Sequence, residues 1–249
     1  MVSETLLASA VFSLLSGGVF AFVGYSVQRR VKNPDVRLPG AAFTVWWYML
    51  AAATVIGGVH VGVAAFGQAS LDSMLLSTQL GLVLFCVALW GLLYHLLYIY
   101  TGRAGLWLPL AVGYGLYYVM LLYFVIASQP TGLKTDAWSV QLEYAAQLEG
   151  PFIGILIALL LVPQILGAFA YFFLYFRTDD RTARYRISLV SWSIILWFGI
   201  PLVSLPLGVS QTDWWQIASR FIGLGAAFAI LAAYRPPMWV RTRFQIAAV

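Results

Sequence analysis

Seven long apolar runs, separated by short polar stretches, account for most of this chain. They cover residues 6–27, 41–66, 74–100, 106–127, 152–176, 187–209 and 214–234. At about 1.5 Å of rise per residue, each is long enough to cross a hydrocarbon core of about 30 Å. Several are longer than that core requires, which implies tilt or helices that project beyond it. Backbone polar groups in lipid must be satisfied within the segment, so helices are the expected solution. The pattern predicts an all-α integral membrane bundle of seven transmembrane helices, a single domain over residues 1–249.

Composition sharpens this. Of the 249 residues, 62% are hydrophobic and only 9% are charged, whereas a soluble domain carries about 25% charge. No room is left for a soluble output domain. The net charge of +5 does not mark a nucleic-acid surface, because the basic residues sit in short loops and set orientation. Arg29, Arg30, Lys32 and Arg37 follow the first run; Arg103 follows the third; Arg177, Arg181, Arg184 and Arg186 follow the fifth; Arg235, Arg241 and Arg243 follow the last. The opposite loops carry only Lys134. Twelve against one predicts an N-terminus outside and a C-terminus in the cytoplasm, in a cell membrane of prokaryotic type. The start, MVSETLLASA, has an acid and no base before its apolar run, so the first helix is expected to insert and stay. Cys86 is the only cysteine, which excludes a disulfide within one chain.

The longest outer loop spans residues 128–150. Residues 137–149 read as an interfacial helix, with Trp138, Leu142, Ala145 and Leu148 on one stripe and Gln141, Glu143 and Gln147 off it. After the last run, Pro236 and Pro237 stop the helix. Trp239, Arg241 and Arg243 then suit an inner-interface anchor, with a partner docking site as the secondary use.

Arg220 is the one charge set deep in an apolar run, roughly 9 Å in from Trp214. Such a charge is costly in lipid. Three roles are open to it: a ligand anchor facing the bundle interior, an internal pair with Asp213 or Asp72, or a side chain that snorkels to headgroups. Asp213, Gln216 and Arg220 fall at i, i+3 and i+7 on one face, which Gly223 and Ala227 continue. His60 and Gln79, from the second and third runs, lie at similar depth, as do Tyr123 and Ser204. Together they sketch an outward-opening polar pocket with a fixed positive charge, suited to a carboxylate or phosphate. Deeper aromatics, among them Trp192 and Trp197 near Pro201, would fill the core or wall a non-covalent apolar ligand. Trp46, Trp47 and Tyr94 read with the aromatic belt at the inner interface. Ser9, Ser13, Ser16, Gly17 and Gly24 of the first run, and Ala53, Gly57, His60 and Ala64 of the second, read as close-packing faces.

His60 and His95 lie at different depths, which disfavours a zinc site and a bis-histidine haem. No nucleophile triad, phosphate loop or HExxH motif occurs. The expectation is therefore a protein that is not an enzyme and has no metal.

Length, seven runs and loop-only surface resemble a microbial rhodopsin. Trp192–Pro201, WSIILWFGIP, is similar to the Trp- and Pro-bearing sixth helix that lines a retinal pocket in that family. Residues 217–231, IASRFIGLGAAFAIL, resemble its last helix, with Arg220 where the family has the Schiff-base lysine. Arginine cannot form that linkage, and Gln79 and Cys86 occupy the stretch where the carboxylates of a pump would be. Covalent retinal is excluded; a rhodopsin-like scaffold, or the similar input module of bacterial sensor kinases, is what the resemblance implies. VPQI, residues 162–165, is like the Pro-Gln motif of seven-helix solute carriers, although the first half of the chain has no counterpart; an ordinary proline kink, with Gln164 bonding a freed carbonyl, is the simpler reading. The expected function is a sensor or receptor subunit that binds a small ligand in its outer half. With no output domain, it would need a cytoplasmic or membrane partner; a homo-oligomer also fits. A small-solute carrier, or a non-catalytic subunit of a membrane complex, is the alternative.

Overall fold

The computed structural model describes residues 3–31, 37–127, 130–144, 154, 158, 161–204 and 212–244. These form eight α-helices and one β-hairpin: α1 Glu4–Gln28, α2 Arg37–Ala65, α3 Leu71–Thr101, α4 Trp107–Ala127, β1 Gly132–Thr135, β2 Val140–Glu143, α5 Val162–Arg177, α6 Arg181–Ser204, α7 Asp213–Tyr234 and α8 Met238–Phe244. Five of them, α1 to α4 and α7, are long and apolar enough to cross a membrane. Most of the expected fifth run before Val162, and residues 205–209 of the sixth, lie outside the described residues.

Helix ends follow local chemistry. Ser70 and Ser73 cap α3 reciprocally, each hydroxyl accepting from the other's amide at 3.2 and 3.1 Å, which satisfies two otherwise orphaned donors. Gly102, with φ 66°, closes the same helix in the left-handed region. Asp180 accepts from the amides of Thr182 and Ala183 at 3.2 and 2.9 Å. That cap starts α6 at Arg181, ahead of the expected Ile187, so Arg181, Arg184 and Arg186 stand on its first turns and not in a loop.

The interfacial helix expected over residues 137–149 is not formed over 137–144. Over residues 132–143 the chain is an antiparallel hairpin, with Leu133 opposite Leu142 and Thr135 opposite Val140; residues 145–149 lie outside the described residues. The reason is local. Asp136 accepts from the amides of Trp138 and Ser139 at 2.8 and 2.6 Å, a side-chain turn that competes with helix. Leu133, Val140 and Leu142 then pack inward, where Val140 and Leu133 meet Leu6 and Ala65 and Leu142 meets the α3–α4 cluster.

The helices run alternately. Ser3 of α1 donates from its amide to the Ala65 carbonyl at 2.9 Å, and the Tyr94 hydroxyl donates to Ala104, beside the start of α4, at 3.0 Å. One end of the bundle therefore carries the hairpin and the start of α7. The other carries the arginines: Arg29 lies over Tyr25, Arg30 over Tyr234 and Arg235 over Phe22, at 4.7, 5.5 and 4.4 Å from the rings. Around the bundle, α1 packs on α2, α2 on α3, α3 on α5, α5 on α6, α6 on α7, and α7 returns to α1. Among the described helices, α4 packs on α3 alone in any extent, and Leu116 and Tyr123 are 68% and 72% exposed. Tyr123 therefore lies outside any interior pocket.

Trp46, Trp47 and Tyr94 are fully buried and do not form a belt. Trp47 packs against Phe20, which meets Trp197 edge-on at 4.9 Å, tying α1, α2 and α6 into one core. Glycines make this approach feasible. A Cβ on Gly91 of α3 would stand 2.5 Å from the Ala42 carbonyl, and one on Gly17 of α1 2.6 Å from Val55. On α2 the contact glycine is Gly58, whose Cβ would meet Ser13 at 3.0 Å. The expected packing residue, Gly57, faces open space.

Candidate functional site

Gly57 opens onto a cavity of about 410 Å³ at the hairpin end, walled by α1, α2, α3, α6, α7 and the hairpin. That volume suits a small ligand. Helix α7 supplies one wall, because Gln216, Ser219, Arg220 and Gly223 recur at helical spacing along one face. Trp197, Ile200 and Ser204 come from α6, Ser13 and Ser16 from α1, Thr54 from α2, and Ser139 and Gln141 from the hairpin. Gly223 admits the Trp197 ring, since a Cβ there would be 3.1 Å from it.

The hydroxyls are largely committed. Ser16 donates to the Phe12 carbonyl at 2.9 Å, Thr54 to Leu50 at 2.7 Å and Ser219 to Gln216 at 2.9 Å. They offer a ligand acceptor capacity and little else. The charged donor in the lining is Arg220. Its Nη2 makes one long bond, 3.4 Å to the Trp138 carbonyl, and its Nε is buried without a partner.

The nearest compensating charge is Asp136, on the hairpin turn. It forms no ion pair with Arg220, whereas Arg184 pairs with Asp179 at 3.7 Å. The Asp136 carboxylate is already occupied. It accepts the two turn amides, the Ser139 hydroxyl at 2.8 Å and Gln216 Nε2 at 3.4 Å. It thus balances charge, pins the hairpin to α7 and leaves the guanidinium fork open.

Of the residues expected to form a site, Arg220, Gln216 and Trp197 meet at the cavity, together with Ser204. Asp213 and Asp72 are exposed in the first turns of α7 and α3, and neither pairs with Arg220 among the described residues. Gln79 is not part of the cavity lining. His60 is buried to the side, 3.2 Å from the Ser77 hydroxyl, with Nε2 unpartnered. Trp192 faces outward, 52% exposed, against Phe172 of α5. His95 lies apart, stacked on Phe43 and bonded to the Pro39 carbonyl at 3.1 Å. Gln164 is 1% exposed and neither amide atom has a partner among the described residues; the carbonyl that Pro163 would free, at position 159, lies outside them.

The hairpin's contribution was not foreseen. The signal was present in KTDAWSVQLE: an Asp three residues before a Ser, flanked by alternating Leu133, Val140 and Leu142. A second, apolar groove of about 640 Å³ lies between α3 and α4, walled by Trp90, Trp107 and Tyr118. In comparisons with known proteins, no family model matches the chain and no curated protein matches it in sequence.

Proposed function

We propose that the chain is a seven-helix protein of the cell membrane, N-terminus outside, that binds a small anionic ligand against Arg220 and reports its presence to a cytoplasmic partner. The observation that carries this reading is the Arg220 guanidinium at the cavity wall, its Nε buried and unpartnered while Asp136 is saturated by other donors. A buried donor without an acceptor costs about 1–3 kcal/mol, which a carboxylate or phosphate oxygen would recover. Trp138 and Ser139 place the hairpin over the same cavity, so a ligand that takes the Arg220 fork competes with the Trp138 carbonyl. Helix α7 joins this site to the arginine end, where its Tyr234 carbonyl accepts from Arg30 at 2.6 Å. A shift of α7 on binding would alter that contact and the exposed α8, where Trp239 is 66% exposed.

Thermal melts of the purified protein against a panel of small carboxylates and phosphate esters test the binding. At least one is expected to raise Tm, with affinity lost about tenfold to a hundredfold in Arg220→Ala. Arg220→Lys should regain only part, because an ammonium lacks the fork. A panel response identical in Arg220→Ala would sink the reading.

Orientation has its own check. In intact cells, a cysteine at Asp179 should react only with membrane-permeant maleimide, and one at Lys134 with impermeant reagent. The native Cys86 is buried and contributes little background. Reversed labelling would invert the assignment of both ends.

The unpartnered amide of Gln164 beside Pro163 favours one second reading, a solute carrier that uses this kink. Substrate-dependent flux in vesicles that is lost in Gln164→Leu would support it over the sensor.

A further inference from the structure

The arginine end holds a second set of unmet donors, remote from the cavity. Arg30 Nη2 donates to the Tyr234 carbonyl at 2.6 Å, with its Cζ 5.5 Å from the centre of that ring, but its Nη1 is buried without a partner. Arg186, on the second turn of α6, has Nε and Nη2 both buried and unpartnered. The two guanidiniums share surroundings: Tyr185, next to Arg186, donates from its hydroxyl to the Ala232 carbonyl at 3.4 Å, two residues from the Tyr234 carbonyl that Arg30 bonds, and Arg186 acts electrostatically on Arg30. No carboxylate among the described residues forms an ion pair with either. Burial, and after it the like charge of Arg186, holds the Arg30 guanidinium below its ordinary value, with Arg235 adding to the effect.

Two guanidiniums partly withdrawn from water, with no carboxylate paired to them among the described residues, form an unfavourable arrangement on their own. Three buried N–H-bearing atoms from two planar forks match the oxygens of a phosphate. The place fits as well. Basic pockets between helices at a membrane's inner face are suited to anionic headgroups. We infer that Arg30 and Arg186, between α1, α6 and α7, form a phosphate-recognition site at the arginine end. Its occupant is an anionic phospholipid headgroup or a free phosphate, and the phosphate closes the contact between α1, α6 and α7.

The experiment uses the full chain in phosphatidylcholine nanodiscs, with phosphatidylglycerol titrated in one arm and inorganic phosphate in the other. Tryptophan-fluorescence melting is the readout. Phosphatidylglycerol is expected to raise Tm of the wild type by mass action, with half-maximal response at an about tenfold higher lipid fraction in Arg186→Gln. Arg243→Gln removes an equal charge from an exposed tail position and should change the response less than about twofold. Inorganic phosphate that reproduces the shift, and competes with the lipid, identifies a free anion as the occupant. Phosphate without effect identifies the headgroup. Among the described residues Arg186 makes no hydrogen bond that its loss would break; should Arg186→Gln still fail to fold, Arg186→Lys keeps the charge without the fork and should show a partial loss. Equal responses in the Arg186 and Arg243 variants would overturn the site in favour of general surface charge. Absence of any wild-type shift in both arms would overturn it outright.

Discussion

Gly91→Ala is expected to destabilise the bundle by about 2–4 kcal/mol, although alanine is the better helix former. The added Cβ would stand 2.5 Å from the Ala42 carbonyl oxygen and 3.3 Å from the Trp46 amide. Both are backbone atoms in the middle of a helix, so no rotamer change relieves the contact; α2 and α3 have to separate. Separation reaches the core, because Trp46 and Leu92 beside this crossing are almost wholly buried. Gly81 lies on the same helix, and a Cβ there meets nothing within 4 Å. Gly81→Ala should therefore stabilise by about 0.5–1 kcal/mol through the unfolded chain's lost freedom. Denaturant unfolding in detergent, followed by tryptophan fluorescence, measures both. Equal effects from the two substitutions would show that α2 and α3 do not approach as closely as described.

The same crossing shows what hydropathy can convey. It located α1, α2, α3, α4 and α7 to within a few residues, because an apolar run of spanning length has few other uses. It could not separate a tryptophan facing lipid headgroups from one facing protein, since both leave water. Trp46 and Trp47 were thus expected at an interface and are fully buried. Nor could spacing along α2 decide between Gly57 and Gly58, which stand about 100° apart on one helix; only the position of α1 settles that Gly58 is the contact and Gly57 opens on the cavity. For the site, the i, i+3, i+7 spacing on α7 brought out Gln216 and Arg220. The carboxylate nearest Arg220 in charge terms, Asp136, is far away in sequence and sits on an Asx turn. Proximity in sequence pointed instead to Asp213, which is exposed in the first turn of α7 and makes no ion pair with Arg220 among the described residues. Long-range polar pairing leaves no periodic trace, and that is why the link from Asp136 to Gln216 and Arg220 is illegible even though the turn that carries Asp136 has a local signal.

Asp136 gives the sharpest test of how Arg220 is held. Asp136→Asn keeps an oxygen for the amides of Trp138 and Ser139, so the turn survives, but it removes the nearest negative charge from the guanidinium. This single change is expected to cost about 3 kcal/mol, the lower range for stranding a buried charge. Arg220→Gln alone should cost only about 1 kcal/mol: it loses one hydrogen bond of 3.4 Å, and Asp136 retains its other donors. The double variant should recover about 1–2 kcal/mol relative to Asp136→Asn, as coupled neighbours do. Melting curves of the four proteins without ligand give the cycle. Additive losses would mean that Asp136 does not compensate Arg220. An Arg220→Gln loss as large as that of Asp136→Asn would mean that the guanidinium is a structural partner of the hairpin. The fork would then be unavailable to a ligand, and the binding assigned to the cavity would lose its anchor.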